Sequence, residues 1–406
     1  MLVLYNIGIK LYFITIWIAS FFSKKARLWV NGRKSQGLIR FNGSIWFHFA
    51  SLGEFEQGRP VLEEMKRIYP DDKIVITFFS PSGYEVRKNT PLADAVYYLP
   101  LDTSANARGF LDMIQPRMAI FTKYEYWYHY FNEMNKQGIS LYVISAIFRP
   151  QQAFFKWYGS LNRKMLKFVT RFFVQDERSE QLLKDIGLNN VTVSGDTRFD
   201  RVWGNAQHPK LLSIIDEFKA GQKLFIAGST WPQDEKLITL LVTQYPDWKF
   251  IIAPHEISEE QINKLIDLLP VESSVRFSQI SNLKSQVSDQ QTLIIDNIGM
   301  LSSLYYYGNI AYIGGGFGAG IHNTLEAAAF GLPVIFGPNY SRFKEANDLI
   351  ALKVGFSVAD EKQLKGITDT LINDELFYSS ASKEIKDYVS EHIGATKTIL
   401  DRISVD

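Results

Sequence analysis

Cysteine is absent from the 406-residue chain, which excludes a disulfide scaffold, zinc-finger or iron–sulfur ligation and thiol catalysis, and fits a reducing compartment. Acidic residues are missing from its start. The first is Glu54, and Lys10, Lys24, Lys25, Arg27, Arg33, Lys34 and Arg40 all precede it. The remainder then carries 37 basic against 43 acidic residues, so the net charge of +1 hides an acidic body and a globally basic nucleic-acid binder is disfavoured. The six histidines are dispersed without H-E-x-x-H, and the chain has no G-x-S-x-G elbow and no D-x-D pair to hold a metal against a nucleotide diphosphate. These absences favour a metal-free, base-assisted transfer over hydrolytic or metal-dependent chemistry.

What is there begins with an apolar run. Leu2 to Phe22 is mostly apolar and aromatic, interrupted by Lys10 and followed at once by Lys24, Lys25 and Arg27. Charges that follow the run rather than precede it speak against a secretory signal peptide. About 20 residues can just span a bilayer, but a lysine near the midpoint costs about 2.5–3.5 kcal/mol on the translocon scale. A tilted or in-plane anchor therefore competes with a true span, and a buried core helix is the third reading. An anchor places the basic residues on the cytoplasmic face, against anionic lipid. The expected division is an anchor over residues 1–23 and a basic juxtamembrane segment over 24–44.

From Ile45 the pattern alternates strand, loop and helix. β-rich runs fall at Ile45–Ala50, Lys73–Phe79, Ala95–Leu99, Met118–Thr122, Leu141–Ser145, Arg171–Val174 and Val191–Ser194. After a polar stretch they resume at Leu224–Ala227, Lys249–Ala253, Thr292–Ile295, Asn309–Ile313 and Pro333–Phe336. Such alternation predicts parallel sheets covered by helices on both faces. The chain reads as α/β, with one Rossmann-like domain over 45–204, a linker over 205–222 and a second Rossmann-like domain over 223–406 whose last helix can return to the first. Ligands are expected at the carboxyl ends of the strands, in a cleft between the two.

Three motifs carry chemistry. Ile313-Gly-Gly-Gly-Phe-Gly-Ala-Gly320 leads into His322-Asn-Thr-Leu-Glu326 and, past Gly331, into Leu332–Pro338. A strand that runs into glycines and then into a helix suits an anionic group, because the backbone approaches closely and helix N–H groups point at the ligand. A tight strand-to-helix turn with no ligand is the alternative. Glu326, one turn in, can accept from ribose hydroxyls or sit as an ordinary helix carboxylate. Ser51-Leu-Gly-Glu54 follows the first strand and has capping-box spacing, yet it also places Glu54 where a general base would face the cleft. Thr122-Lys-Tyr-Glu125 repeats that spacing and that ambiguity after another strand.

Together these segments resemble the 3-deoxy-D-manno-octulosonic acid (Kdo) transferases of lipopolysaccharide assembly, over nearly the whole chain. Trp46–Glu54 is similar to the family's H-x-x-S-x-G-E segment, Ile76–Gly83 to T-x-x-T-P-T-G, and Glu125-Tyr-Trp127 to E-L-W. Gly195–Asp200 is similar to G-N-x-K-F-D, Gly228-Ser-Thr230 with Glu235 to A-x-S-T-x-x-x-E-E, and Gly314–Pro338 to the long glycine-rich segment. The resemblance implies a GT-B fold with an N-terminal membrane anchor, CMP-Kdo as donor, a lipid A precursor as acceptor, and no metal or other cofactor. It makes Glu54 the catalytic base and Glu125, on its E-L-W, a second catalytic candidate. It carries CMP contacts onto Pro254, His255, Ile298, Gly299, Met300, Gly315, Asn323, Thr324, Leu325 and Glu326. Further acceptor or donor contacts fall on Ser51, Gly53, Arg198, Ser229 and Thr230. Two family arginines are lost: P-R-H-P-E-R becomes Pro254-His-Glu-Ile257, and N-A-R-L-S becomes Ser145-Ala-Ile-Phe-Arg149, leaving Arg149 or Arg198 to compensate. Other readings are a heptosyl- or GlcNAc-transferase, a sugar-nucleotide epimerase, or a membrane-tethered sugar-nucleotide sensor in which Ser51 and Glu54 only cap a helix.

Overall fold

The computed structural model describes residues 1–34, 36–282 and 287–403. The chain divides into two units, Met1–Arg201 with His392–Asp406, and Val202–Glu391.

The first unit is built on seven strands, β1 (Ser44–Phe49), β2 (Lys73–Phe78), β3 (Ala95–Tyr98), β4 (Pro116–Thr122), β5 (Ser140–Ala146), β6 (Arg171–Val174) and β7 (Val191–Val193). They lie in the order β3-β2-β1-β4-β5-β6-β7, every described pairing parallel. Strands such as Ile45–Phe49 are buried throughout because helices cover both faces. Ile45, Phe47 and Phe49 enter one core cluster, whereas Trp46 enters the other. The strand order reverses between β1 and β4, and in open α/β sheets that reversal is where a crevice forms beyond the strand ends.

Two helices precede β1. Helix α1 (Leu2–Ala19) buries none of its residues fully and is long and apolar enough to cross a membrane by length and composition. It nevertheless touches the folded body: the Tyr5 hydroxyl donates to buried Asp102 at 2.5 Å, Asn6 Oδ1 lies 2.7 Å from His129 Nε2, and the Tyr12 ring packs on Trp29 and Phe79. Helix α2 (Lys24–Lys34) corrects the expectation of a plain basic segment. It buries Trp29 and Val30, and its Arg33 points inward, donating to the carbonyls of Leu99 and Phe79 at 2.9 and 2.7 Å. Gly32 lets it ride on the Tyr98 ring, where a Cβ would come within 2.2 Å.

The second unit repeats the scheme with β8 (Lys223–Thr230), β9 (Trp248–Pro254), β10 (Ser274–Arg276), β11 (Thr292–Ile294), β12 (Ile310–Ile313), β13 (Val334–Phe336) and β14 (Gly355–Ser357), in the order β10-β11-β9-β8-β12-β13-β14. The expected strands are all present. β10 and β14 are additional, three-residue edge strands whose Ser-Val-Arg and Gly-Phe-Ser sequences carry no apolar run. The segment expected as a linker over 205–222 is also structured, with a helix at Ser213–Lys219 that buries Ile215 and Phe218. At the far end the helix Ala395–Leu400 belongs to the first unit, where Ile399 and Ile403 join the core with Ile45 and Phe47. The Asp200 carboxylate clamps that return, accepting the N–H groups of Gly394 and Thr396 at 2.6 Å each.

Candidate active site

In the first unit the carboxylates singled out from sequence sit at the switch point, Glu54 after β1 and Glu125 after β4. Ser51 caps helix α3 (Leu52–Ile68), its hydroxyl accepting the Glu54 N–H at 3.5 Å. Glu54 Oε2 reaches back to the N–H of Ala50, one residue ahead of the cap, at 2.7 Å. The capping geometry is therefore present, and it uses one carboxylate oxygen. Burial, reinforced by the charge of Glu125 and only partly offset by the Ala50 N–H, pushes the Glu54 carboxyl up to about 7. A base with that affinity is matched to neutral pH. Gly53, between them, is exposed.

Glu125 is held from two sides. Its Oε2 accepts the Trp127 indole N–H at 2.9 Å and lies 3.3 Å from His48 Nε2. His48 is fully buried on β1, with Nδ1 2.8 Å from Thr77 Oγ1, and that oxygen accepts the Trp46 indole N–H at 2.8 Å. An ionised carboxylate only accepts, so Nε2 carries the proton and Thr77 gives its own to Nδ1. Every donor in the chain Trp46–Thr77–His48–Glu125 then has an acceptor. Sequence reasoning quoted His48, Thr77 and Trp127 inside motifs without giving them this role. Only the contacts across β1, β2 and β4 reveal it.

Arg198 is tied to Asp196 through its Nε at 2.8 Å, and Asp196 also accepts from Gln57. Burial opposes charge on Asp196, yet Arg198 holds its carboxyl below the usual range. Arg149, Glu54 and Arg198 all act electrostatically on the Tyr124 hydroxyl, whose proton is held chiefly by burial. The two arginines suggested as replacements for the family's missing ones thus share the surroundings of Tyr124. Lys123 and Ser145, at the ends of β4 and β5, have φ of 63° and 50°, backbone strain of the kind that gathers at functional edges.

In the second unit Ser229, Thr230, Pro254 and His255 come together at the carboxyl ends of β8 and β9, beside the glycine loop after β12. The Thr230 hydroxyl is buried and donates to Glu235 at 3.0 Å, and its carbonyl accepts the His255 N–H. Ser229 has a φ of 54°. Trp231, His255 and His322 form a stack with centroid spacings of 4.8 and 4.5 Å, and the Trp231 indole donates to His322 Nε2 at 3.2 Å. Burial and His255 lower the His322 pKa, which keeps that nitrogen an acceptor. Neither the stack nor the clamp described next was expected from sequence, because both bring residues near 231–234 onto the loop after β12, as in the Trp231–His322 and Asp234–Gly315 hydrogen bonds.

The glycine loop differs from the open phosphate cradle expected. Gly314 N–H donates to Gly228, Gly318 and Gly320 donate to the Gly315 carbonyl, and His322 donates to Gly314. Gly315 N–H goes to Asp234 Oδ2 at 2.9 Å, an oxygen that also takes the Trp231 N–H, while Tyr312 donates to Oδ1. The glycines serve close backbone packing: a Cβ on Gly314 would lie 2.2 Å from the Ser229 carbonyl, and one on Gly315, at φ +92°, 2.6 Å from that of Gly320. The helix expected to open near His322 is only Leu325–Ala328, so its dipole is small. Asn323 donates to Glu326 at 3.1 Å, Leu325 is buried, and Thr324 is fully buried with no partner for its hydroxyl. Ile298, almost fully exposed, Gly299 at φ +98°, and Met300 form the loop after β11, at the same sheet edge. Among the described residues no group of three or more His, Asp or Glu is placed to hold a metal.

The family model for 3-deoxy-D-manno-octulosonic-acid transferase (kdotransferase) matches residues 22–201 and ends where the first unit's long segment ends. The chain is a relative of the Kdo transferases, matched by the family model over its first unit. It is 26% identical over 375 residues to the 3-deoxy-D-manno-octulosonic acid transferase of Haemophilus influenzae, covering 88% of this chain and 86% of that one. Its identity to the Aquifex aeolicus transferase is 27%, covering 86% and 93%, and to that of Rickettsia bellii 25%, covering 94% and 91%. As a fold, this Kdo transferase relative is of the GT-B type. It superposes on the UDP-GlcNAc 2-epimerase of Neisseria meningitidis with a TM-score of 0.59 at 15% identity, covering 88% of this chain and 98% of that one. A glycosyltransferase from Rickettsia africae gives 0.57 at 13%, covering 89% and 98%.

Proposed function

We propose that the chain is an inverting glycosyltransferase that moves Kdo from CMP-Kdo to a sugar hydroxyl of a lipid A precursor, lipid IVA, at the cytoplasmic face of the bacterial inner membrane. The observation that carries this reading is Glu54, a family-motif carboxyl raised to about 7 beside a second carboxyl positioned by Trp127 and His48. Glu54 takes the acceptor proton as that oxygen attacks the anomeric carbon, a contribution of about 10²–10⁴-fold for general bases. CMP is the leaving group, contacted by Pro254, His255, the 298–300 loop and Asn323–Glu326 of the second unit without a metal. Arg149 and Arg198 are placed to meet the acceptor's or donor's acid groups.

Helix α1 anchors the enzyme, and its contacts favour an in-plane position. Residues 5 to 13 touch the body through Tyr5, Asn6, Tyr12 and Phe13, a length of about 12 Å at 1.5 Å per residue that a true span would immerse in lipid. Lys10 faces outward, free to reach headgroups. A donor screen of the purified protein tests the function. CMP-Kdo with a lipid A precursor yields product in the presence of a chelator, and turnover of a UDP-sugar instead would overturn the assignment.

A further inference from the structure

The chain has a second acid-free stretch. Between Glu133 and Asp176 lie seven basic residues and no acidic one, matching the seven that precede Glu54. Its centre is the loop after β5. Phe154 is buried there against Phe148 and Tyr126, and the Arg163 guanidinium fixes the turn by donating to the carbonyls of Phe154 and Lys156 at 3.1 and 2.7 Å. At the tip of this held turn two large rings point away from the core. Trp157 is 91% exposed and Tyr158 50%, packed edge to face on each other. Lys164 and Lys167 on the following helix are exposed.

This turn and α1 flank the same segment. Tyr126 packs on Phe154 of the turn, Trp127 stacks on Phe79 and through it on Tyr12 of α1, and Tyr128 lies between Tyr5 and Lys164. Glu125 opens that segment. A rigid turn that presents Trp and Tyr beside exposed positive charge has the composition of a bilayer interface contact, where amphipathic rings sit at headgroup level and lysines meet anionic lipid.

We infer that the Trp157–Tyr158 turn is a second membrane contact, inserting into an anionic bilayer surface on the α1 side and holding the carboxyl edge of the first sheet toward the lipid. This rests on the membrane reading of α1 and adds a separate element to it. The absence of cysteine makes the test clean: Trp157→Cys, Trp17→Cys and Val271→Cys full-length variants each take one environment-sensitive fluorophore. On transfer from detergent to phosphatidylethanolamine/phosphatidylglycerol vesicles, the labels at 17 and 157 shift to the blue and lose quenching by aqueous iodide, and the label at 271 in the second unit does neither. A response at 17 alone overturns the second contact and leaves the α1 anchor standing. No response at 17 or 157 overturns both, and equal responses at 157 and 271 overturn it as non-specific adsorption.

Discussion

His48 Nε2 stands 3.3 Å from Glu125 Oε2, the carboxylate that acts electrostatically on Glu54. The buried imidazole lies within hydrogen-bond reach of Glu125, and the Glu125 charge adds to burial in raising Glu54. One carboxyl is positioned by Trp127 and His48 beside a neighbour whose own affinity for the proton is raised toward neutral pH.

Glu54→Gln removes the base and keeps an oxygen for the Ala50 N–H. Turnover falls at least about 10²-fold, from the range for general bases. Stability moves the other way. With a folded-state pKa near 7, above the ordinary carboxylate value, the wild type loses stability as pH rises through that interval. Glu54→Gln therefore melts higher than wild type at pH 8, and the gap closes near pH 4. Residual turnover above a tenth of wild type would reduce Glu54 to a cap.

The pH dependence of kcat/KM rises to a plateau through an inflection near 7, as Glu54 ionises. Glu125→Gln removes the like charge and shifts the inflection toward lower pH, and His48→Ala loosens the carboxylate and lowers kcat. An unmoved inflection in Glu125→Gln would mean that burial alone tunes Glu54.

Glu326→Ala weakens CMP binding about 10- to 150-fold, equivalent to the 1.5–3 kcal/mol of a charge-assisted bond, read by calorimetric titration. Asp234→Ala strands three buried donors, on Gly315, Trp231 and Tyr312, and lowers the melting temperature of the second unit. Gly315→Val does likewise, because its Cβ meets backbone. Retained stability in either variant would show that the loop is not clamped from within.

Deleting residues 1–22 leaves a folded protein, soluble without detergent, that still transfers to a dispersed short-chain acceptor and works poorly on acceptor in vesicles. Asp102 loses the Tyr5 hydroxyl but keeps the N–H groups of His129 and Tyr130. Tyr5→Phe alone costs about 1 kcal/mol, the usual worth of one hydrogen bond. Aggregation of the deletion in detergent would make α1 a core element.

The long strands and both carboxylates were legible because apolar runs and capping spacing are local signals. What escaped was non-local. Thr77 and His48 meet because β1 and β2 pair in register. Asp234 reaches the Gly315 N–H from a helix start 81 positions away. Arg33 reads as one more cation in a basic run until α2 turns it onto the carbonyls of Leu99 and Phe79. The glycine loop reads as an anion site because glycine permits close approach, and sequence does not distinguish approach to a phosphate from approach to Ser229.

The Asp200 clamp on Gly394 and Thr396 has a consequence for biogenesis. The first unit is not complete when its first 201 residues leave the ribosome, since Ile399 and Ile403 fill its core only after the second unit has been made. The half made first waits, with part of its core uncovered, until the last fifteen residues arrive. Premature termination before Ile399 thus strikes the half made first, the one that holds the proposed base.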